Sequence, residues 1–281
     1  MCWKRIRARA ADKECRRKYE ALLALLRPMD GVAVAFSGGV DSTLLLYAAK
    51  EALGDRCLAY TARSVFFPEE EAAAAAALCE KLGVKQVVLD VDVLAVPGVA
   101  DNPPDRCYLC KRALLGAIRD SAARRGVSAV IEGGNVDDES ESRPGARAVR
   151  ELGVRSPLQE AGLTKAEIRA LSRMKGLPTA DKPAMACLAT RLPTGDALAP
   201  ETLRRVEEAE AYLGGLGLTQ RRVRVHGDLA RIEALPEETA LVMRHAGEVE
   251  ARLKTLGFRY VSLDLGGYRT GSVNGERKDG R

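Results

Sequence analysis

The chain has 281 residues, 46% of them hydrophobic, 30% charged and 4% aromatic, with a net charge of +5. That is room for about two domains with real cores, and it excludes a helical membrane protein, because no apolar run approaches the ~18 residues a span requires. The charge is uneven: residues 1–18 carry eight basic residues against Asp12 and Glu14 and the remainder is near neutral, so the basic balance is an N-terminal arm rather than the broad basic surface that RNA or DNA demands.

Taken in order, Arg16 to Leu26 has apolar residues at helical spacing, and Gly31 to Phe36 is a short apolar run that reads as a buried strand. It leads into Ser37-Gly38-Gly39-Val40-Asp41-Ser42 and then a helical segment over 42–53 closed by Gly54. A strand, a Gly-Gly turn flanked by hydroxyls and a helix start make an anion site. Gly38 and Gly39 let backbone N–H groups approach phosphate oxygens, Ser37 and Ser42 add hydroxyls, and the helix terminus adds about half a unit of positive charge. Asp41 can cap the helix or hold a metal. No Gly-Lys-Ser/Thr is present, so this is not the loop that grips β- and γ-phosphates. The stretch resembles the PP-loop of N-type ATP pyrophosphatases, which implies cleavage of ATP between its α- and β-phosphates and transfer of AMP to a substrate.

Arg56 to Thr61 reads as the second strand, Pro68 onward as an alanine-rich helix with acidic residues first and Lys81 last, and Val84 to Val93 as the third strand. Residues 95–104 form a Pro/Gly-rich loop, Asp105 is placed as the N-cap of a helix running to Arg125, and Ser128 to Ile131 is the fourth strand. Strands alternating with helices predict an α/β fold with a doubly wound, mostly parallel sheet. Ligands in such sheets bind beyond the carboxyl ends of the strands, which places the PP-loop, Thr61 and the Glu132–Asp138 turn together. Residues 133–150 read as a polar loop whose Asp137, Asp138, Glu139 and Glu141 are either solvated or hold Mg²⁺ near ATP. Thr164 to Glu167 is a capping box starting a helix that ends near Gly176, and residues 177–198 form a long loop carrying Cys187. Beyond it, a helix over 201–213, strands over 222–226 and 229–233, a helix from Pro236 to Leu256 and a strand from Phe258 to Leu263 describe a smaller α+β domain. The expected division is a basic arm over 1–14, a PP-loop domain over 15–198, a C-terminal domain over 199–271 for substrate or oligomerisation, and a tail over 272–281.

Seven cysteines and no export signal argue against a disulfide framework. Cys57 and Cys79 read as core thiols, and Cys2 and Cys15 receive no role. Cys107 and Cys110, at i and i+3 near a helix start beside Arg106, Lys111 and Arg112, share a face favourable to thiolate. A pair so placed is a redox couple, half a metal site or two packed thiols. Adding Cys187 gives three thiolates, too few for a closed structural zinc site but enough to hold three irons of a [4Fe–4S] cluster and leave the fourth open to a sulfide. Two histidines, His226 and His245, leave little material for His-based zinc or triad chemistry.

Several separated motifs then narrow the resemblance. Asn102 to Lys111 (Asn-Pro-Pro-Asp-Arg-Cys-Tyr-Leu-Cys-Lys), Glu132 to Asn135, Arg143 to Gly145, Arg155 to Leu158, Asp181 to Arg191 and Arg222 to Glu233 are similar to those of LarE-type ATP-dependent sulfur transferases, over roughly residues 15–274. The resemblance implies adenylation of a carboxylate of pyridinium-3,5-biscarboxylic acid mononucleotide and its conversion to a thiocarboxylate, in the making of the nickel-pincer nucleotide cofactor. It implies ATP, Mg²⁺ and, in the three-cysteine subtype, a [4Fe–4S] cluster held by Cys107, Cys110 and Cys187. In the other subtype a single cysteine, here Cys187, gives up its sulfur and becomes dehydroalanine. Ser37, Gly38, Gly39, Asp41, Ser42 and Thr61 are the expected nucleotide contacts. Lys111, Arg222 and Arg224 are the expected grips on substrate phosphate or carboxylate. Gly134 departs from the family, where Thr is commoner. The expected setting is a cytoplasmic homo-oligomer acting on a small mononucleotide, without membrane or nucleic acid, its sulfur donor unknown. The competing readings are a tRNA thiolase of the same class and a nucleotide-binding iron–sulfur sensor that uses the basic arm.

Overall fold

The computed structural model describes residues 2–140, 144–183 and 185–269, with side chains from residue 12 onward except at 139 and 140. The expectations for Glu141, Arg143, Ala184 and the tail, and those for the side chains of Cys2 and the first basic residues, lie outside the described residues. The chain divides into two compact units, one made of 2–64, 69–93 and 105–185, the other of 65–68, 94–104 and 186–269. Among the described residues no helix is long and apolar enough to cross a membrane.

The first unit opens with α1 (Cys2–Leu26), longer than the predicted Arg16–Leu26. Ala, Arg, Lys and Glu without Gly or Pro sustain a helix through the basic segment. Its Tyr19, Leu22, Leu23 and Leu26 are buried at helical spacing. There follow β1 (Val32–Ala35), α2 (Val40–Leu53), β2 (Cys57–Arg63), α3 (Glu69–Lys81), β3 (Lys85–Asp90), α4 (Arg106–Ala123) and β4 (Ala129–Ile131). The four strands form one sheet in the order β3-β2-β1-β4, and every pairing is parallel. Alternate residues of the strands feed two cores. Val32, Val34, Cys57, Ala59 and Ile131 pack with residues of α1, α2 and α3, while Ala33, Tyr60 and Val130 pack with Leu115, Ile118 and Ala122 of α4. Both faces of the sheet are therefore covered, which is why its strands are apolar on both sides. The order reverses beside β1, so the turn after β1 lies next to the turn after β4.

Residues 133–150 are not the loop expected. They contain α5 (Asp137–Ser140) and α6 (Pro144–Glu151), followed by α7 (Pro157–Glu160) and α8 (Lys165–Met174). Pro144 stands at the helix start, where its missing N–H costs nothing. Asp105 occupies the N-cap position of α4 but its side chain caps nothing. Its φ of −94° and ψ of 11° lie outside the extended region from which a cap side chain reaches back. Thr164 behaves as predicted: its hydroxyl accepts from the Glu167 amide and the Glu167 carboxylate returns to the Thr164 amide.

The second unit contains α9 (Pro200–Gly215), β5 (Arg221–His226), β6 (Leu229–Ala234), α10 (Thr239–Arg244), α11 (Ala246–Thr255) and β7 (Tyr260–Leu263). Its sheet has the order β5-β6-β7, antiparallel then parallel. The single helix expected over 236–256 is two, broken at His245, whose φ of −104° and ψ of 19° end one helix and begin the next. Two excursions join this unit: Leu188 N–H donates to Phe66 C=O at 2.9 Å, and Asn102 Nδ2 donates to Pro193 C=O at 2.7 Å.

Candidate active site

In the first unit, Ser37 to Ser42 fills the turn between β1 and α2. Gly38 has φ of +71°, a conformation that side-chain-bearing residues rarely adopt. A Cβ there would lie 3.3 Å from Ala75 Cβ. Gly39 is the N-cap of α2, and no side chain caps the helix. The first amides of a helix have no partner within it, so this end presents N–H groups as an anion would need them. The hydroxyls of Ser37 and Ser42 stand 3.2 Å apart, and Ser42 Oγ donates to Gly39 C=O at 3.2 Å. The turn is thus held from within.

Asp41 lies inside the first turn of α2, not at the cap. Its carboxylate takes an ion pair from Lys165 Nζ and a 3.5 Å contact from Asn135 Nδ2. Burial raises its pKa, with Lys165 opposing that shift and Asp138 adding to it. Asp138 accepts from the Asn135 amide at 3.0 Å and Asp137 from the Lys165 amide at 2.7 Å. These two carboxylates therefore brace the turn after β4 and the start of α8. Lys182 Nζ, 2.6 Å from Glu71 Oε2, also donates to Gly38 C=O at 3.3 Å. Neither lysine was singled out in the sequence, because a lone Lys at a helix start or in a loop carries no pattern. Thr61 is buried: its hydroxyl donates to Phe36 C=O at 3.1 Å and accepts from Gln86 Nε2 at 2.8 Å, stitching adjacent segments of the sheet.

Cys107 and Cys110 sit in the first turns of α4, Cys107 exposed and Cys110 half-buried. Arg106 Nη2 lies 3.6 Å from Cys107 Sγ. Between them Tyr108 is pinned: its hydroxyl donates to Glu151 Oε2 at 2.7 Å and Arg147 lies over its ring. Lys111 Nζ is held by Glu132 Oε2 at 3.0 Å, and Glu132 Oε1 accepts from the Gly134 amide at 2.9 Å and from Ser156 Oγ. A Cβ at Gly134 would fall 2.4 Å from Glu132 Oε1. A side chain at this position would thus require the Glu132 carboxylate to shift from where it now accepts from the Gly134 amide.

In the second unit Cys187 is half-buried and precedes a single 3-10 turn, Leu188–Arg191. Around this segment lies a layer of buried charge. Arg191 Nε and Nη2 grip Glu210 at 2.8 and 2.9 Å, Arg224 Nε pairs with Glu233 at 3.0 Å, and Arg224 Nη1 donates to Thr190 C=O at 2.8 Å. Arg222, 2% exposed, has its guanidinium 5.3 Å from the Tyr268 ring. Burial, and then the like charge of Arg191, pull the pKa of Arg222 below its ordinary value. The sequence reading gave roles to Arg222 and Arg224, placed Arg191 and Glu233 in motifs without a role, and did not include Glu210. Among the described residues no group of three or more His, Cys, Asp or Glu side chains gathers to hold a metal ion.

Comparisons with known proteins bear on the same residues. The NAD synthase family profile matches residues 25–97, which include the β1–α2 turn. An uncharacterized protein of Synechocystis sp. is 40% identical over 259 residues, 92% of this chain and 97% of that protein. A pyridinium-3,5-bisthiocarboxylic acid mononucleotide synthase of Lactiplantibacillus plantarum is 40% identical over 258 residues, 92% of this chain and 94% of its own length. An uncharacterized protein of Methanocaldococcus jannaschii is 28% identical over 239 residues, 85% of this chain and 91% of that one.

Proposed function

The chain belongs to the LarE family of ATP-dependent sulfur transferases, and from that membership we propose how its residues divide the reaction. It is an AMP-forming enzyme of the PP-loop class that converts a pyridinium carboxylate mononucleotide to its thiocarboxylate, using ATP and Mg²⁺. A carboxylate is a poor acyl donor because its oxygen is a poor leaving group. Attack of one carboxylate oxygen on the α-phosphorus forms the acyl–AMP bond and breaks the α–β bridge, releasing pyrophosphate. The acyl carbon then accepts a sulfur nucleophile: a C–S bond forms, the C–O bond to AMP breaks, and AMP leaves with the electron pair.

The observation that carries the ATP half is the uncapped N-terminus of α2 behind Gly38 and Gly39, where the N–H groups and the Ser37 and Ser42 hydroxyls converge. Preorganised donors of this kind stabilise a departing pyrophosphate without reorganising. Asp41, now paired with Lys165, would be the carboxylate to hold Mg²⁺, which would supply charge stabilisation for the departing pyrophosphate. Thr61 contributes by fixing the turn through Phe36 rather than by touching nucleotide with its hydroxyl. Lys111, once released from Glu132, is a cation for the substrate. In the second unit three buried arginines, Arg191, Arg222 and Arg224, face two buried carboxylates, Glu210 and Glu233. A guanidinium suits two-point contact with a phosphate or carboxylate, which supports Arg222 and Arg224 as the site for the anionic groups of the mononucleotide.

Cys187 is the sulfur-presenting residue, with Cys107 and Cys110 as its partners. Three thiols of this set fit a [4Fe–4S] cluster in donor chemistry, and such a cluster supplies a sulfide when bound. When Cys187 itself is the donor, the acyl thioester at Sγ releases thiocarboxylate as Cα loses a proton and the Cβ–S bond breaks, leaving dehydroalanine with no external oxidant. Anaerobic purification with iron and sulfide analysis separates the two. The three-cysteine reading expects about four irons per chain, lost in Cys110→Ala. Iron absent after reconstitution, with a dehydroalanine at 187 after one turnover, overturns it in favour of the sacrificed cysteine.

A further inference from the structure

Arg191 is fully buried, and its guanidinium is directed to two ends. Nε and Nη2 form the fork on Glu210. Nη1 serves the Cys187 segment alone, donating to Ala186 C=O at 2.9 Å, Cys187 C=O at 3.1 Å and Thr190 Oγ1 at 2.9 Å. Thr190 Oγ1 also donates to Cys187 C=O at 2.8 Å. Glu210 is itself fixed, because its Oε1 accepts from the Val223 amide of β5 at 2.9 Å. An unbroken path therefore runs from α9 and β5 through Glu210 and Arg191 to the backbone of Cys187.

The two carbonyls held by Nη1 belong to the peptide planes immediately before and after the Cys187 Cα. Fixing both planes fixes the torsions between them, φ of −60° and ψ of 149°. Those torsions set the direction of the Cα–Cβ bond and hence where the sulfur stands. Among the described residues before this turn, 182, 183 and 185–187 belong to no helix or strand that could do this. An ion pair with Glu210 satisfies two of the three guanidinium nitrogens, and the third is spent on this loop. We infer that Arg191 is the positioning residue for sulfur transfer, aiming the Cys187 side chain by holding the carbonyls on either side of it. This rests on the reading of Cys187 as the residue that presents sulfur. A lysine cannot replace it, because one ammonium nitrogen cannot grip a carboxylate in a fork and reach two carbonyls and a hydroxyl as well.

The test separates the half-reactions of the full-length protein. Substrate-dependent ATP–pyrophosphate exchange reads adenylation, and thiocarboxylate formation under single-turnover conditions reads transfer. In Arg191→Lys, exchange and the KM for the mononucleotide stay within about twofold, while transfer falls on the order of a hundredfold, the scale of an ångström's misplacement. Hydrogen exchange rises at the Leu188 and Thr190 amides without rising in α9. Should Arg191→Lys not fold, Thr190→Val removes one contact of Nη1 and one of the Cys187 carbonyl, and a roughly tenfold fall in transfer with unchanged exchange is expected of it. Transfer retained in a folded Arg191→Lys, or exchange and transfer falling together, overturns the inference. Cys187→Ser is the separate control: if it still transfers sulfur, the reading of Cys187 fails, whatever Arg191 does.

Discussion

In the turn at Ser37–Ser42, anion-binding capacity comes from backbone: glycine conformations, an uncapped helix end and two small hydroxyls. Beneath Cys187 the structure is built instead from buried side-chain charge, Arg191, Arg222 and Arg224 set against Glu210 and Glu233. The two materials fail differently. A backbone cradle is robust to most nearby side-chain changes and sensitive to a single Cβ, because its geometry is local. A buried charge layer tolerates no single deletion, since each member's desolvation is offset only by its partners.

That contrast ranks the perturbations. The largest effect is expected from Glu210→Ala, which strands Arg191 as a buried cation. A loss of about 3–5 kcal/mol is expected in urea unfolding, and a loss under 1 kcal/mol would mean the layer is not tightly built. Next comes Gly38→Ala, which forces a side chain into φ of +71° and towards Ala75. About 1–2 kcal/mol of stability is expected to go, with ATP affinity falling more steeply than substrate affinity in calorimetry. Equal falls would erase the distinction between the two regions. Thr164→Ala removes the capping box that carries Lys165 towards Asp41, and about 1 kcal/mol is expected in thermal melting. The smallest effect is a labelling order. Burial pushes the Cys57 thiol up to about 12 and the Cys79 thiol up to about 11, and raises Cys15 as well. These three stay protonated and unreactive towards iodoacetamide at neutral pH, because alkylation needs the thiolate. Cys107, exposed, is expected to label first in peptide mapping, and labelling of Cys57 before Cys107 would contradict the burial on which the assignment of core thiols rests.

The same contrast explains what could be read in the sequence. Ser37 to Ser42 was legible because a backbone cradle needs particular residue types in consecutive positions, and Thr164 to Glu167 was legible for the same reason. The parallel sheet followed from apolar runs that are buried on both faces. The short helices α5 and α6 were missed because four to eight residues hold too few apolar positions to show a period, and Pro144-Gly145 resembles a loop. The break at His245 left no signature, since neither Gly nor Pro stands there. Arg191, Glu210 and Glu233 were invisible as a group: they come from a turn, a helix and a strand, and only folding brings them together. Lys165 and Lys182 reach the β1–α2 turn in the same way, from positions more than a hundred residues away in the chain.

The most direct test of the account is a product balance. The protein, freshly prepared without oxygen, is given ATP, Mg²⁺ and pyridinium-3,5-biscarboxylic acid mononucleotide, and the nucleotides and pyridinium species are resolved by mass spectrometry. The account predicts AMP and pyrophosphate in equal amounts, with one thiocarboxylate formed per AMP until the sulfur is exhausted, and no product from Cys187→Ser. ADP and phosphate as products, or sulfur appearing in tRNA with the mononucleotide untouched, would contradict it.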